Sequence, residues 1–375
     1  MKNIRVVHII DQLRIGGAQK LLVTFAKEAP RRSMPVEIVC LRRENPNLVI
    51  SELEKYNAVI TYLPAGKLLD PGRFWRLLNY IRHSQADLVQ THLTYANILG
   101  STAAYLAGLP SAATLHLAGP DRRYSRLREQ LETFCIRFFC RLAIAVGPET
   151  ARQQASRLGS KKISVVLNAV ELPPPVSAAR IQEVRKELGI NPDSRVFISV
   201  GRFSIVKAFH VLIEAFAAYH KQDPNSALLL VGDGKMRADW EQLAEDLGVS
   251  GDVLFTGLRD DVPDLLAASD LYVCSSTVEG TPLAVMEAIS AGLPVVATNV
   301  GDLPVLIGPG FGILVEPDDS EAIVDAAALI LKDTDGRQNM ADAARVYASA
   351  HFSSGAWMDT LLAVYQIVLG RGRSE

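Results

Sequence analysis

The fold class predicted by this sequence is α/β, with two doubly wound, Rossmann-like domains facing a central cleft, and three observations predict it. Short apolar runs alternate with helical segments along the whole chain, the order that builds parallel sheets covered by helices. A length of 375 residues exceeds what one hydrophobic core usually serves. Charge also divides sharply at Pro173-Pro174-Pro175: residues 1–175 hold 24 Lys and Arg against 13 Asp and Glu, while residues 176–375 hold 15 against 28. A stiff proline linker between two bodies accounts for that break. The domains are expected at 1–172 and 176–355.

The start, MKNIRVVHIIDQ, has too short an apolar run for a signal peptide and lacks a small-residue cleavage site, so it reads as a first strand, Ile4 to Ile10. Its loop carries Gly16 and Gly17 at the mouth of an amphipathic helix, about Ala18 to Glu28. Paired glycines there let an anionic ligand approach backbone N–H groups at a helix start. An ordinary strand-to-helix turn would look the same.

Leu88 to Pro120 carries no formal charge, yet glycine, proline and polar residues interrupt it, so it is not a membrane span. It divides into a strand (Leu88 to Thr91), a helix (Tyr95 to Ala107), a turn and another strand (Ala112 to His116). His92 and His116 follow or end those strands and are expected to point toward the cleft. Next comes DRRYSRLREQLETFCIRFFCRL, with Arg122, Arg123, Arg126, Arg128, Arg137 and Arg141 among Phe134, Phe138 and Phe139. Basic residues beside aromatic ones suit an anionic membrane surface or a charged acceptor, and equally a solvated helix face. No nucleic-acid recognition motif accompanies the charge. Cys40, Cys135, Cys140 and Cys274 have no paired or metal-type spacing, which fits a reducing compartment.

In the second half, a strand ends at Gly201-Arg202 and Lys207 follows five residues later, at the expected start of a helix. Two fixed cations there can stabilise a diphosphate leaving group as charge develops on it. The apolar run Leu271 to Cys274 then feeds SSTVEGTPLAVMEAISAGLPVVATN. Thr281 reads as an N-cap and Pro282 as the first helical position, and Gly292 with Pro294 ends the helix before a strand, Val295 to Thr298. Glu279 precedes this helix and Glu287 lies within it. Carboxylates flanking an anion site are useful when each accepts hydrogen bonds from neutral hydroxyls. A sugar-diphosphate-ribose ligand has that layout.

EGTPLAVMEAISAGLPVVAT resembles the E-x7-E signature of family-4 retaining glycosyltransferases of the GT-B fold. The resemblance implies that Glu279 contacts the transferred sugar and Glu287 the ribose, with Gly280, Thr281, Pro282 and Leu283 lining the donor. GRFSIVKA is similar to the family's GR-x4-KG, with Ala208 in place of the usual glycine, and implies that Gly201, Arg202 and Lys207 meet the diphosphate. GGAQ resembles a GGAE element that lines donor phosphates, with Gln19 replacing the glutamate. Family members carry histidines after the strands of His92 and His116, the later one near the transferred sugar, so His116 ranks above His92. Orienting a sugar hydroxyl or the acceptor is its candidate role, general-base work a further one.

Departures occur at Asn168-Ala169, where Asn-Gly is usual, and at GDLPVLI, which lacks the second glycine and the glutamate of GGxPEL. The closing HFSSGAWMDTLLAVYQIVLG also resembles the family, and its helix, about 356–375, is expected to pack back onto the first domain. Asp333-Thr334-Asp335 reads as a helix-end loop and is assigned no metal.

The resulting expectation is an enzyme moving a sugar from a nucleoside diphosphate donor to the hydroxyl of a lipid-linked or saccharide acceptor, with retention and without cofactor or metal. Polysaccharide or glycolipid biosynthesis is the expected setting. A nucleotide-sugar epimerase on the same architecture and a non-catalytic nucleotide-sugar sensor are the alternatives. The expected place is the cytoplasm, with peripheral attachment to the inner face of the cytoplasmic membrane left open.

Overall fold

The computed structural model describes residues 4–14, 16–67, 70–116, 125–308 and 310–371. They form two compact units, 1–169 with 354–375 and 170–353. In the first unit the strands are β1 (Val6–Ile10), β2 (Val36–Cys40), β3 (Val59–Tyr62), β4 (Leu88–His92), β5 (Ser111–Leu115), β6 (Leu142–Ala145) and β7 (Ile163–Val165). They make one sheet in the order β3-β2-β1-β4-β5-β6-β7, with every pairing parallel.

Parallel strands need crossover connections, and those crossovers put helices on both faces, so strands buried on both sides read as continuous apolar runs. VVHII of β1 and LAIA of β6 are buried at every position. On one face Val6, Ile10 and Leu88 pack with Leu22 and Phe25 of the Gly17–Glu28 helix. On the other, Val7, Ile9 and Val89 pack with Leu99 and Ala103 of the Thr94–Leu106 helix.

The closing helix, Ser354–Val368, contributes Met358, Leu361 and Tyr365 to the first of these cores. Its start is fixed by an Arg32–Asp359 ion pair at 2.6 Å and by Ser354 Oγ donating to the buried Glu28 at 2.9 Å.

The strands of the second unit are β8 (Arg195–Val200), β9 (Ser226–Val231), β10 (Val253–Gly257), β11 (Leu271–Cys274), β12 (Val295–Thr298) and β13 (Gly312–Val315), in the order β10-β9-β8-β11-β12-β13. Again every pairing is parallel. In both sheets the chain winds outward in one direction from the first strand, then returns to its other side. The reversal falls between β1 and β4 in the first unit and between β8 and β11 in the second, and such a switch point opens a crevice at the carboxyl ends of the two strands.

Candidate functional site

At the switch point of the second unit, two loops lie side by side. After β8, Gly201 to Ser204 lead into a 3-10 turn, Ile205–Lys207, and the Phe209–His220 helix begins only beyond Ala208. Lys207 therefore ends a tight turn instead of opening the helix. Ala208 takes a left-handed conformation, φ 47° and ψ 40°, which explains why a glycine suits this position: a β-carbon there costs roughly 1–2 kcal/mol.

The loop after β11 is tied to this turn. Ser275 Oγ donates to the Lys207 carbonyl at 2.9 Å, and the Thr277 N–H donates to the Val206 carbonyl at 2.9 Å. These bonds bring the Lys207 ammonium to 2.6 Å from Glu279 Oε1, which also accepts from Ser276 Oγ at 2.6 Å. Burial opposes the charge on Lys207, but the Glu279 carboxylate outweighs it and holds the ammonium above its ordinary range. Gly201 backs the lysine stem, since a β-carbon there would lie 3.1 Å from Lys207 Cε. Arg202 stands exposed at the strand end.

Thr281 does not cap the next helix. That helix is Leu283–Ala291 with Pro282 at its N-cap, and the Thr281 hydroxyl donates to Asp302 Oδ2 at 2.6 Å. The Asp302 N–H in turn donates to the Gly280 carbonyl at 3.2 Å. Gly301 makes this approach possible: its φ is +58°, and a β-carbon would meet the Glu279 carbonyl oxygen at 2.3 Å. The Gly280-Thr281-Pro282 loop is thus held from behind by the loop after β12. Leu283 is buried, and Glu287 lies half-buried about one turn farther along the helix.

In the first unit, Gly16 has extended backbone, φ 176°, and caps the helix that Gly17 opens. Gln19 is buried and donates from Nε2 to the Gln12 carbonyl at 2.9 Å, closing the loop over the helix start. His92 ends β4 and His116 follows β5. Sequence reasoning missed their companion, His8 of β1. His8 Nδ1 lies 3.2 Å from His92 Nε2, and His92 Nδ1 lies 3.3 Å from His116 Nε2.

Strand register builds this row: His8 is opposite Gln90 and His92 is opposite Thr114, so each contact is the diagonal step to a residue two farther along the neighbouring strand. The row climbs from the sheet interior to its carboxyl edge. His8 and His92 are buried while His116 is half-buried. Burial pulls His8 down to about 3, His116 to about 4 and His92 well below its usual value, so all three rings are neutral at neutral pH.

Asp11, also missed, stands at the end of β1 and accepts the N–H groups of Tyr95 and Ala96 at 3.1 and 2.6 Å. Burial raises its carboxyl to about 7 against those two bonds. The signal for both residues was a polar side chain beside an apolar strand, but its meaning depends on which strand lies alongside.

Among the described residues no group of three or more His, Cys, Asp or Glu is arranged to hold a metal ion. Asp333 caps the Thr334–His351 helix, accepting the Gly336 N–H at 2.9 Å. Arg122 and Arg123 lie outside the described residues. No helix among the described residues is long and apolar enough to cross a membrane.

Comparison with known proteins matches both halves. The family "Glycosyltransferase Family 4" matches residues 15–172, and "Glycosyl transferases group 1" matches residues 180–347. The UDP-Gal:alpha-D-GlcNAc-diphosphoundecaprenol alpha-1,3-galactosyltransferase of Escherichia coli is 28% identical over 346 residues, 88% of this chain and 89% of that protein. The N-acetyl-alpha-D-glucosaminyl L-malate synthase of Bacillus anthracis is 34% identical over 188 residues, 50% of this chain and 49% of that one. Among solved structures, Anabaena HepE in complex with UDP superposes with a TM-score of 0.86 at 23% identity, covering 97% of this chain and all of that one. With both halves matched and the two-sheet architecture shared, the chain belongs to the family-4 glycosyltransferases and has their GT-B fold.

Proposed function

We propose that this glycosyltransferase moves a hexose from a uridine diphosphate donor to the hydroxyl of a lipid-linked saccharide, with retention and without a metal. The observation that carries the reading is the Lys207–Glu279 pair beside Arg202 at the switch point of the second unit. A diphosphate gains charge as the sugar–oxygen bond breaks, and fixed cations beside a helix start stabilise that charge. On this reading Lys207 exchanges Glu279 for a phosphate oxygen when the donor binds. Glu279, still held by Ser276, then accepts a hydroxyl of the transferred sugar, and Glu287 accepts the ribose. The second unit takes the donor and the first the acceptor, with His116 on the sugar side and His92 behind it.

Retention fits attack on the face from which the diphosphate departs, the acceptor proton passing to a departing phosphate oxygen. Double displacement would need a carboxylate nucleophile at the anomeric carbon. Uridine diphosphate is favoured because HepE was solved with UDP and with UDP-glucose, and the Escherichia coli relative is named for UDP-Gal and a diphosphoundecaprenol acceptor.

A thermal-shift panel of UDP, GDP, ADP and their sugars tests the donor. At a hundred times its Kd a ligand adds roughly 2.7 kcal/mol to stability, an unmistakable rise in Tm. An NMR time course with acceptor then reports the anomeric configuration of the product. Conversion without acceptor would identify an epimerase, and binding without any conversion a sensor.

A further inference from the structure

His8 makes no hydrogen bond through Nε2, and the ring sits with its edge to Phe25, centroids 4.3 Å apart, in a wall shared with Leu21 and Leu22. Its other nitrogen, Nδ1, faces His92 Nε2, and His92 Nδ1 faces His116 Nε2. A neutral imidazole carries one N–H and one bare lone pair, so each contact needs a donor on one side and an acceptor on the other. The three tautomers are therefore locked to one direction. Either all three protons sit on Nδ1, running outward from His8, or all three sit on Nε2, running inward.

The inward arrangement leaves a buried N–H of His8 without a protein acceptor, facing Phe25, Leu21 and Leu22 in a small cavity whose wall also includes Gln90, Thr114 and Asn168. The outward one leaves only a bare lone pair there. Orphaned buried N–H groups are the rarer of the two in proteins, and their cost is that of a lost hydrogen bond.

We propose that His8 is a positioning residue which, through His92, fixes His116 as the Nδ1–H tautomer, so that His116 offers the substrate a neutral hydrogen-bond donor and not a base. This rests on the reading of His116 as a sugar-side residue. A sugar ring oxygen or hydroxyl oxygen can take that proton, and the acceptor hydroxyl cannot lose its own proton to it. General-base work at His116 is thereby assigned away from the ring, in keeping with transfer of the acceptor proton to a phosphate oxygen.

The test is long-range 1H–15N correlation of the full chain labelled at histidine, assigned by single replacements among its seven histidines. His8, His92 and His116 should each show Nδ1 protonated and Nε2 bare. His8→Phe keeps the ring volume against Phe25 and removes the donor, and should leave His92 and His116 as mixtures of tautomers. His8→Asn, whose amide can donate from the place of Nδ1, should restore them. Protons on Nε2 in the native chain, or pure Nδ1–H signals from His92 and His116 in His8→Phe, would overturn the proposal.

Turnover of UDP-glucose and UDP-galactose, read as UDP release, checks the substrate role separately. KM for the donor should rise roughly twofold in His8→Phe, because only about half of the mixture keeps His116 in the competent tautomer, with affinity for bare UDP unchanged and with recovery in His8→Asn. Tautomers that mix while KM stays constant would refute the donor role of His116. Absence of turnover in the native chain would count against the functional reading, while the spectra still decide the relay.

Discussion

Lys207 Nζ and Glu279 Oε1 stand 2.6 Å apart, joining the loops at the ends of β8 and β11, with side chains only 21% and 10% exposed. A pair this sheltered cannot lose one partner without leaving the other charge uncompensated, at roughly 3–5 kcal/mol. Lys207→Met should therefore lower stability in urea unfolding, and adding Glu279→Gln should recover much of the loss. Turnover should fall on the order of a hundredfold in Lys207→Met or Arg202→Ala, as when one group facing a developing charge is removed. EDTA should leave the native rate unchanged. Full activity in either variant, or loss of activity with EDTA, would sink the leaving-group assignment.

The two glutamates should separate by ligand. Glu287→Ala should weaken bare UDP, because the ribose contact proposed for it would be present in both ligands. Glu279→Ala should spare UDP and weaken UDP-glucose or UDP-galactose. Isothermal calorimetry with each pair decides this, and equal losses for both ligands in both variants would refute the division of labour.

Much of the scaffold around these residues was legible in the sequence, because parallel strands buried on both faces announce themselves as apolar runs. Leu271–Cys274 and Val295–Thr298 could be read to the residue. What could not be read depends on distant partners. Thr281 looks like a cap until Asp302, 21 residues later, is seen to take its hydroxyl. His8 looks like one polar residue in a core strand until β4 is placed beside β1. Ala208 gives no sign of its left-handed backbone, since only the glycine usual in the family would signal it. Gly301 owes its place to the Glu279 carbonyl, a contact between two loops that no local pattern encodes.

The buried groups of the first unit make stability depend on pH, with two opposing signs. His8 and His116, at about 3 and about 4 in the folded protein, and His92, lowered well below 6.5, stay neutral in weak acid while the unfolded chain protonates them. Their contribution is present above about pH 6.5 and is lost as the pH falls below it. Asp11, at about 7 against an ordinary 3.8, works the other way, because the folded state holds a proton that the unfolded state has released. Between pH 5 and 6 three histidines outweigh one aspartate by two protons, so these groups raise stability by roughly 2.7 kcal/mol per pH unit. Urea unfolding at both pH values should give a slope lower by about 1.4 kcal/mol per unit in His8→Phe and higher by about the same in Asp11→Asn. Unchanged slopes would show that neither group titrates as burial dictates.

The last prediction concerns where the acceptor is met. The Arg126–Phe139 helix of the first unit exposes Leu127, Phe134 and Phe138 at 74, 50 and 60%, and Arg126 and Arg137 line the same depression as the two phenylalanines. Arg128 is engaged elsewhere, donating to the Tyr95 hydroxyl at 2.9 Å. Exposed rings flanked by guanidinium groups suit the interfacial layer of an anionic bilayer, where each well-placed cation contributes roughly 1 kcal/mol. The excess of positive charge over residues 1–175 would act in the same direction, and the excess of negative charge over residues 176–375 would oppose binding there. Vesicles of phosphatidylglycerol and phosphatidylcholine should therefore sediment the protein, while pure phosphatidylcholine should not, and salt should weaken the binding. Arg126→Gln with Arg137→Gln should weaken the salt-dependent part, and Phe134→Ser with Phe138→Ser the salt-independent part. Equal partitioning to both vesicle types, or full binding by the combined variant, would leave this helix as a solvated face and the acceptor as a soluble saccharide.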